Sequence, residues 1–230
     1  MRLDIIHNED CMVGLRRLPD ACVDLIVTDP PYGISYISHM STDVAYKERV
    51  MHTEWDRDFD FTDYHKELYR VLKDDSFMYV WGSFENYETM RAVGMDRVLV
   101  WDKGVIGMGD LKDWGIGFEL VYVFKKGRPK LRGKRVSGVF RISQRKNRRH
   151  VPGFFGKTLH PTQKPVSVMR YLIEKSSDIG DIVLDAFMGS GTTALACKQT
   201  KRHYIGYEVE PSYCRIAENR LKQTLMEAFT

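Results

Sequence analysis

Residues 26–34 read Ile-Val-Thr-Asp-Pro-Pro-Tyr-Gly-Ile and combine an acid, two prolines and an aromatic ring in one short segment. Ile26 and Val27 are typical of a strand interior, which the prolines after Asp29 cannot continue. One interpretation is a simple tight turn. The other is a rigid site in which Asp29 supplies a carboxylate and Tyr32 supplies an aromatic surface.

A second segment, residues 181–197, has the spacing of a site for a nucleotide-like cofactor. A strand is predicted to run into Asp185, followed by the Gly-Ser-Gly turn at 189–191 and by a helix that opens at Thr192. The glycines allow a ligand to approach the backbone closely, and a helix N-terminus favours an anionic group. The next predicted strand ends in Glu208, whose carboxylate can accept hydrogen bonds from ribose hydroxyls.

Two cofactor classes are compatible with this segment. The Gly189-x-Gly191-x-x-Ala194 spacing loosely fits the dinucleotide pattern of a nicotinamide enzyme, whereas the P-loop pattern fails because no Gly-Lys-Ser/Thr follows. Asp185, just ahead of the glycines, would repel a pyrophosphate but attract the ammonium of an amino acid. S-adenosylmethionine carries a ribose, an ammonium and a sulfonium. The residues therefore favour S-adenosylmethionine over NAD.

Basic residues are concentrated in one part of the chain. Residues 120–173 contain 15 Lys or Arg and no acid, whereas the remainder has 20 basic and 31 acidic residues, a net charge of −11. This separation indicates a polyanion partner, most simply nucleic acid, and a solvated basic surface is the alternative. The candidate nucleic-acid contacts are Arg128, Lys130, Arg132, Lys134, Arg135, Arg141, Arg145, Lys146, Arg148 and Arg149.

These segments must be positioned by a sheet, because short β-branched and aromatic runs alternate with helical patterns along most of the chain. The alternation predicts an α/β fold whose sheet is largely parallel, with helices on both faces. Two stretches do not fit this alternation. The polar residues 35–60 predict a long functional or mobile loop, and residues 127–159 predict a basic insertion. Strands are predicted at 3–7, 24–28, 77–81, 97–101, 120–124, 182–187 and 204–208.

Composition and residue spacing argue against several other classes of protein. No run approaches 18 apolar residues and the N-terminus lacks the apolar stretch of a signal peptide, so we expect no membrane association. Cys11, Cys22, Cys197 and Cys214 show no paired spacing, which predicts reduced thiols in a cytoplasmic protein. The scattered histidines and cysteines predict no metal site.

Together these motifs resemble a known family. The Asp-Pro-Pro-Tyr-Gly segment at 29–33, His-Pro-Thr-Gln-Lys-Pro at 160–165 and Asp-Ala-Phe-Met-Gly-Ser-Gly-Thr-Thr at 185–193 occur in the order of the β group of DNA amino-methyltransferases. The resemblance covers nearly the whole chain. It implies a Rossmann-like, S-adenosylmethionine-dependent methyltransferase fold. Its seven-stranded, mostly parallel sheet would have a circularly permuted order, with the N-terminal strand beside the last strand.

The resemblance also implies a division of the chain. Residues 1–126 would form the catalytic half of one methyltransferase domain, and 160–230 its cofactor-binding half. Residues 127–159 would be a small target-recognition insertion. Double-stranded DNA is the implied partner, and a cognate restriction endonuclease and a homodimer are compatible with the family.

Cofactor contacts are implied residue by residue. Asp10 would accept a hydrogen bond from the adenine amino group of S-adenosylmethionine, the backbone N–H of Cys11 would reach its ring, and Glu208 would hold its ribose. Lys164 would meet the carboxylate of the methionine. The methionine end would be surrounded by Asp185, Phe187, Gly189, Ser190, Gly191 and Thr192.

The catalytic role implied for the first segment is the alignment of an exocyclic amine. The Asp29 carboxylate and the Pro30 carbonyl would each accept one N–H of a flipped base, with Pro30 and Pro31 holding the turn rigid and Tyr32 stacking on the base. An Asp in the first position of this motif is typical of adenine N6 methylation, and cytosine N4 methylation is the alternative. A catalytically silent DNA-binding module and a nicotinamide oxidoreductase are remote alternatives.

Overall fold

The fold is described from a computed structural model, which covers residues 1–31, 61–104, 114–143 and 163–227, with side chains through residue 223. Within these ranges one mixed sheet organises the chain. Its strands are β1 (Ile5–His7), β2 (Val23–Thr28), β3 (Leu72–Gly82), β4 (Arg97–Asp102), β5 (Phe118–Lys126), β6 (Val139–Arg141), β7 (Ile182–Asp185) and β8 (His203–Tyr207).

The sheet has the permuted order predicted from the family resemblance. The strand order is β1-β8-β7-β2-β3-β5-β4-β6. The N-terminal strand pairs in parallel with the last strand, with Ile5 opposite Ile205 and His7 opposite Tyr207. All neighbouring pairs are parallel except those of β5, which runs antiparallel to both β3 and β4.

The predicted strand count of seven was one too low. The additional strand, β6, lies inside the basic stretch and pairs in parallel with β4, with Phe140 opposite Trp101. Phe140 is buried and its ring packs against that of Tyr171, at 4.9 Å between centroids. At least this part of the predicted insertion is therefore an edge strand of the main sheet. Three residues with a single apolar side chain facing the core are too short a pattern to predict a strand.

Helices cover both faces of the sheet, as the alternating pattern predicts. They are α1 (Cys11–Arg17), α2 (Phe61–Val71), α3 (Tyr87–Ala92), α4 (Val166–Ser176), α5 (Thr192–Gln199) and α6 (Pro211–Glu227), with a 3-10 turn at Phe84–Asn86. No helix in these ranges is long and apolar enough to cross a membrane. The Cys11, Cys22, Cys197 and Cys214 thiols are all unpaired.

Side chains of the central strands alternate between two hydrophobic clusters, one on each face. On β2, Leu25 and Val27 belong to the cluster that α4 and α5 complete, whereas Ile26 belongs to the cluster that α1 and α2 complete. On β3, Tyr79 and Met78 divide in the same way. Burial on both faces explains why these strands are nearly continuous apolar runs.

Helix α1 packs so closely on β8 that it leaves no room for a side chain at Gly14. A Cβ at Gly14 would lie 2.0 Å from Cε1 of the buried Tyr207 ring. We expect Gly14→Ala to destabilise the fold by about 1–3 kcal/mol, because a well-packed ring must move and the cost outweighs the better helix propensity of Ala.

Thermal unfolding of the two proteins would measure this effect. Gly138→Ala is the matched control, since a Cβ there meets its nearest neighbour, Leu99, at 3.6 Å, an ordinary contact. Equal stability of the Gly14→Ala variant and the wild-type protein would contradict the prediction.

Candidate active site

Four adjacent parallel strands end at one edge of the sheet and bring acidic residues there. In sheet order β1, β8, β7 and β2 are followed or terminated by Asp10, Glu208, Asp185 and Asp29. In open α/β sheets, ligands bind in the crevice outside the carboxyl ends of the strands. The sequence motifs that predicted cofactor binding and catalysis therefore meet in one place, although they lie far apart along the chain.

A buried cluster of hydrogen bonds joins β2 to β7 at this edge. The Asp185 carboxylate accepts from the Thr28 hydroxyl at 3.0 Å, the Thr193 hydroxyl at 2.6 Å and the Phe187 backbone N–H at 3.0 Å. Thr28 also accepts from the Ala186 backbone N–H at 3.2 Å. The sequence analysis missed Thr28 and Thr193. Because Thr28 directly precedes Asp29, this cluster fixes the predicted catalytic segment at 29–33, called the catalytic turn below, relative to the glycine turn at 189–191.

Burial dominates the electrostatics of Asp185, which is only 2% exposed. Desolvation raises the pKa of Asp185 to about 6, against the lowering effect of its three hydrogen bonds. The charge of Asp29 also raises this pKa. Since a nearby cation favours the ionised form of a buried carboxylate, the site suits a cationic ligand, as the sequence analysis predicted.

The glycine turn uses conformations that only glycine adopts without strain. Gly189 has a φ of +52° and Gly191 a φ of +80°. At Gly191 a Cβ would lie 2.7 Å from Ala217 on α6, so this glycine permits close helix packing. At Gly189, among the described residues other than its two chain neighbours, no atom lies within 4 Å of the Cβ position, which leaves space for a ligand beside the turn.

Glu208 lies at the end of β8 and faces the glycine turn. Its carboxylate accepts from the Gly189 backbone N–H at 2.8 Å and from the Glu210 backbone N–H at 2.8 Å. Burial raises its pKa. Each oxygen retains further lone pairs, so Glu208 can accept hydrogen bonds from a ribose while holding the turn.

Asp10 and Cys11 form the start of α1, next to the end of β8. Asp10 is the N-cap, and its Oδ1 accepts from the Met12 N–H at 2.8 Å and the Val13 N–H at 3.3 Å. Within the described ranges its Oδ2 has no hydrogen-bond partner, so that Asp10 can accept from a ligand amine. Cys11 is buried, and burial raises the pKa of its thiol, which excludes it as a nucleophile at neutral pH.

The predicted methionine-end residues line the turn between β7 and α5. The Phe187 ring is half-buried and packs against Tyr64 at 5.6 Å between centroids. Ser190 and Thr192 are buried. Arg220 on α6, which the sequence analysis missed, donates to the Ser190 carbonyl and, at 3.0 Å, to the Ser190 hydroxyl. Burial lowers the pKa of Arg220 to about 10, so it is a cation over the turn at neutral pH.

Lys164 lies beside Asp29 in a row of alternating charges. Its Nζ is 2.8 Å from Asp29 Oδ2 and 3.2 Å from Glu119 Oε2, and Lys103 Nζ is 3.5 Å from Glu119 Oε1. Sequence analysis missed Glu119 and Lys103. A signal was present, because Glu119 is the only acid in the apolar strand β5 and directly precedes the acid-free stretch. The predicted contact of Lys164 with a cofactor carboxylate stays a prediction.

The catalytic turn itself is described as far as Pro31. Asp29 is half-buried, Pro30 is buried and Pro31 is half-buried. Tyr32, predicted to stack on the substrate base, lies outside the described residues. So do Arg145, Lys146, Arg148 and Arg149.

The profile of the N6/N4 methyltransferase family, described as DNA methylase, matches residues 23–219. The chain belongs to this family. It is 28% identical to the type II methyltransferase M.HinfI of Haemophilus influenzae over 96% of this chain and 69% of that protein. It is 32% identical to YubD of Escherichia coli (strain K12) over 92% of this chain and 87% of YubD.

Solved structures share the fold of this DNA methylase. The crystal structure of the M1.HpyAVI–SAM complex has a TM-score of 0.67 at 23% identity and covers 94% of this chain and 98% of its own. The PvuII DNA methyltransferase, described as cytosine-N4-specific, also has a TM-score of 0.67, at 18% identity, over 93% of this chain and 84% of its own. The Rossmann-like methyltransferase fold predicted from the sequence is confirmed.

The basic stretch of the methylase divides between the two edges of the sheet. Because β5 is antiparallel, it carries the chain from the edge that holds Asp29 to the opposite edge, about 27 Å away. There the backbone N–H of Arg128 donates to Asp75, and Arg132 pairs with Asp178 at 2.8 Å. β6 then returns to the first edge, where Arg141 pairs with Asp102 at 2.7 Å.

This division bears on the predicted nucleic-acid contacts. Arg128, Lys130, Arg132, Lys134 and Arg135 follow β5 at the edge remote from Asp29, and Arg132 is held by an acid there. Among the described residues of this set, Arg141 at the end of β6 lies at the catalytic edge, and the nucleic-acid contacts stay predictions.

We expect Asp185→Asn to raise the unfolding temperature at pH 8. The amide keeps the shape of the side chain and the Thr193 hydroxyl can reverse its hydrogen bond, while the cost of a buried charge is removed. The pKa of Asp185 is raised from 3.8 to about 6, so protonation stabilises the wild-type fold below pH 4 and this contribution is lost as pH rises through 6. The increase in the free energy of unfolding of the variant over the wild-type protein should grow over that pH range, to at most about 3 kcal/mol.

Thermal unfolding from pH 4 to pH 8 would measure this gain. Asp74→Asn is the control, because the Asp74 side chain is 86% exposed and should give no comparable trend. A gain of the Asp185→Asn variant that does not change with pH, or a loss at pH 8, would contradict the burial argument.

Proposed function

We propose that this methylase transfers a methyl group from S-adenosylmethionine to the exocyclic N6 of adenine in duplex DNA. The observation that carries the proposal is the shared edge: Asp29 and Pro30 follow β2 directly beside the glycine turn that follows β7. A hydrogen bond of 3.0 Å between Thr28 and Asp185 holds these two parts together. A substrate amine and a methyl donor bound there would be neighbours.

The residues of the site fit S-adenosylmethionine. Asp10 and the Cys11 N–H would bind its adenine, Glu208 would bind its ribose, and the open space beside Gly189 would accommodate the chain of the methionine. The ionised Asp185 supplies negative potential beneath its cationic groups. When bound, S-adenosylmethionine supplies a methyl group activated by its sulfonium. M1.HpyAVI, which shares the fold, was crystallised with this cofactor.

Asp29 and Pro30 would prepare the amine for transfer. The lone pair of an exocyclic amine is delocalised into the ring, so it is a poor nucleophile. Acceptance of its two N–H groups by the Asp29 carboxylate and the Pro30 carbonyl localises the lone pair and aims it. Positive charge then develops on the nitrogen, which these fixed acceptors stabilise more in the transition state than in the ground state. The methylated nitrogen loses a proton readily, so no strong base is required.

The amine is out of reach inside a duplex, so the base must leave the stack. Flipping costs a few kcal/mol, and stacking on an aromatic ring recovers about 1–3 kcal/mol. Tyr32 is the residue we propose for this stacking, from its place in the motif. A companion restriction endonuclease and a homodimer remain predictions.

Adenine is proposed as the base because Asp29 occupies the first position of its motif, where the resembled family has Asp for adenine N6. Cytosine N4 is the second candidate. It is favoured by the shared fold of the PvuII DNA methyltransferase, which is described as cytosine-N4-specific. Both bases present an exocyclic amine to the same two acceptors.

Incubation with several duplex DNAs and methyl-labelled S-adenosylmethionine, followed by nucleoside analysis, is expected to yield labelled N6-methyladenine. Asp29→Ala should abolish labelling while the Kd for S-adenosylmethionine changes little, because Asp29 acts on the amine. Label in N4-methylcytosine would reassign the base. Absence of label with diverse DNAs would refute the proposed activity, and equal loss of binding and transfer in the variant would make Asp29 structural.

The division of the basic stretch generates a separate prediction for DNA binding. We expect the double variant Arg145→Gln/Arg148→Gln to weaken binding and to lower the slope of log K against log salt by about 1–2, as phosphate contacts are lost. The matched control is Lys130→Gln/Arg135→Gln, which removes the same charge from the opposite edge. Binding titrations at several salt concentrations would measure both. Equal effects of the two double variants would contradict the proposal that the residues after β6 supply the phosphate contacts.

A further inference from the structure

The position of Lys164 is unusual for a lysine, because its side chain is only 7% exposed. Burial of an ammonium is costly unless carboxylates compensate it. Two carboxylates do so here: Asp29 from the catalytic turn and Glu119 from β5. Pro165 follows Lys164 and disfavours helical backbone at it, so Lys164 is held just outside the start of α4. The sequence and the fold thus deliver one cation to the catalytic carboxylate.

The contact with Lys164 constrains the Asp29 carboxylate. The ion pair of 2.8 Å between Lys164 Nζ and Asp29 Oδ2 restricts the rotation of the carboxylate about its Cβ–Cγ bond. A carboxylate with a fixed plane needs no reorganisation when the substrate amine arrives. Lys164 also offsets the repulsion between Asp29 and the buried Asp185, whose pKa the charge of Asp29 helps to raise.

Glu119 resolves a difficulty that Lys164 alone would create. Positive charge develops on the substrate nitrogen during transfer, and a single lysine beside Asp29 would cancel the negative potential that stabilises it. Glu119, with Oε2 at 3.2 Å from Lys164 Nζ, returns the group of three to a net negative charge. Lys103 balances Glu119 on its far side, at 3.5 Å from Oε1. With Lys103 the row of four is neutral overall, and Asp29 is the member that meets the amine in the proposed function.

We propose that Lys164 and Glu119 are positioning residues for methyl transfer: Glu119 holds Lys164, and Lys164 holds the Asp29 carboxylate in the orientation that accepts the amine. This inference rests on the proposed function. It competes with the contact to the cofactor carboxylate that the family resemblance implies for Lys164, and the two roles affect different measurements.

The test compares Lys164→Met, Lys164→Arg and Glu119→Gln with the wild-type protein. We expect Lys164→Met to lower kcat by about 100-fold or more, with the Kd for S-adenosylmethionine by calorimetry within about twofold of wild type. Lys164→Arg should recover part of kcat because it keeps the cation. Glu119→Gln should lower kcat without altering cofactor binding. Lys73→Met is the control, since Lys73 pairs with Asp24 at 2.7 Å near the opposite edge of the sheet.

Each outcome decides for or against the proposal. A tenfold or greater loss of cofactor binding in Lys164→Met, with kcat at saturating cofactor preserved, would assign Lys164 to the cofactor carboxylate instead. Wild-type kcat in Glu119→Gln would also overturn the proposal, even if Lys164→Met failed to fold. Wild-type protein that binds S-adenosylmethionine and methylates no DNA would refute the proposed function. Active wild-type protein with active variants would refute this inference alone.

Discussion

The hydrogen bonds around the Asp185 carboxylate are the constraint on which the rest of the site depends. One buried group receives donors from Thr28 at the end of β2, from Thr193 on α5 and from the backbone of Phe187 in the glycine turn. Displacement of any one of these elements would leave a buried oxygen short of a partner, at about 1–3 kcal/mol. The positions of the catalytic turn and the glycine turn are therefore coupled even without a bound ligand.

The antiparallel direction of β5 determines at which edge of the sheet its charged residues lie. Because β5 is antiparallel, its first residues lie at the edge where its parallel neighbours end, with Leu120 opposite Gly82. Glu119 thus reaches Lys164, while Lys126 at the far end of the strand contacts the carbonyl of Leu72 at 2.7 Å. A parallel strand with the same sequence would reverse these positions. The one reversed strand of the described sheet thereby places Glu119 at the catalytic edge and Lys126 at the opposite edge.

Most elements of the fold and the principal motifs could be predicted from sequence, because local apolar periodicity and glycine spacing report on local structure. The strand and the residues that the sequence analysis missed depend instead on contacts between segments that are distant along the chain. β6 forms because Val139–Arg141 pairs with the outer edge of β4. Thr28 and Glu119 gain their roles from Asp185 and Lys164, which the chain brings near only on folding. The basic stretch appeared uniform in sequence, since composition does not reveal at which edge a residue lies.

The two ends of the segment between β6 and α4 are both fixed at the catalytic edge. Arg141 is tied to Asp102 on one side, and Lys164 is tied to Asp29 and Glu119 on the other. The strand register of the described sheet and the hydrogen bonds of Asp185 both lie outside this segment. A change of sequence or length between the two anchors would therefore leave Asp29, Glu119 and Arg141 at their places in the sheet.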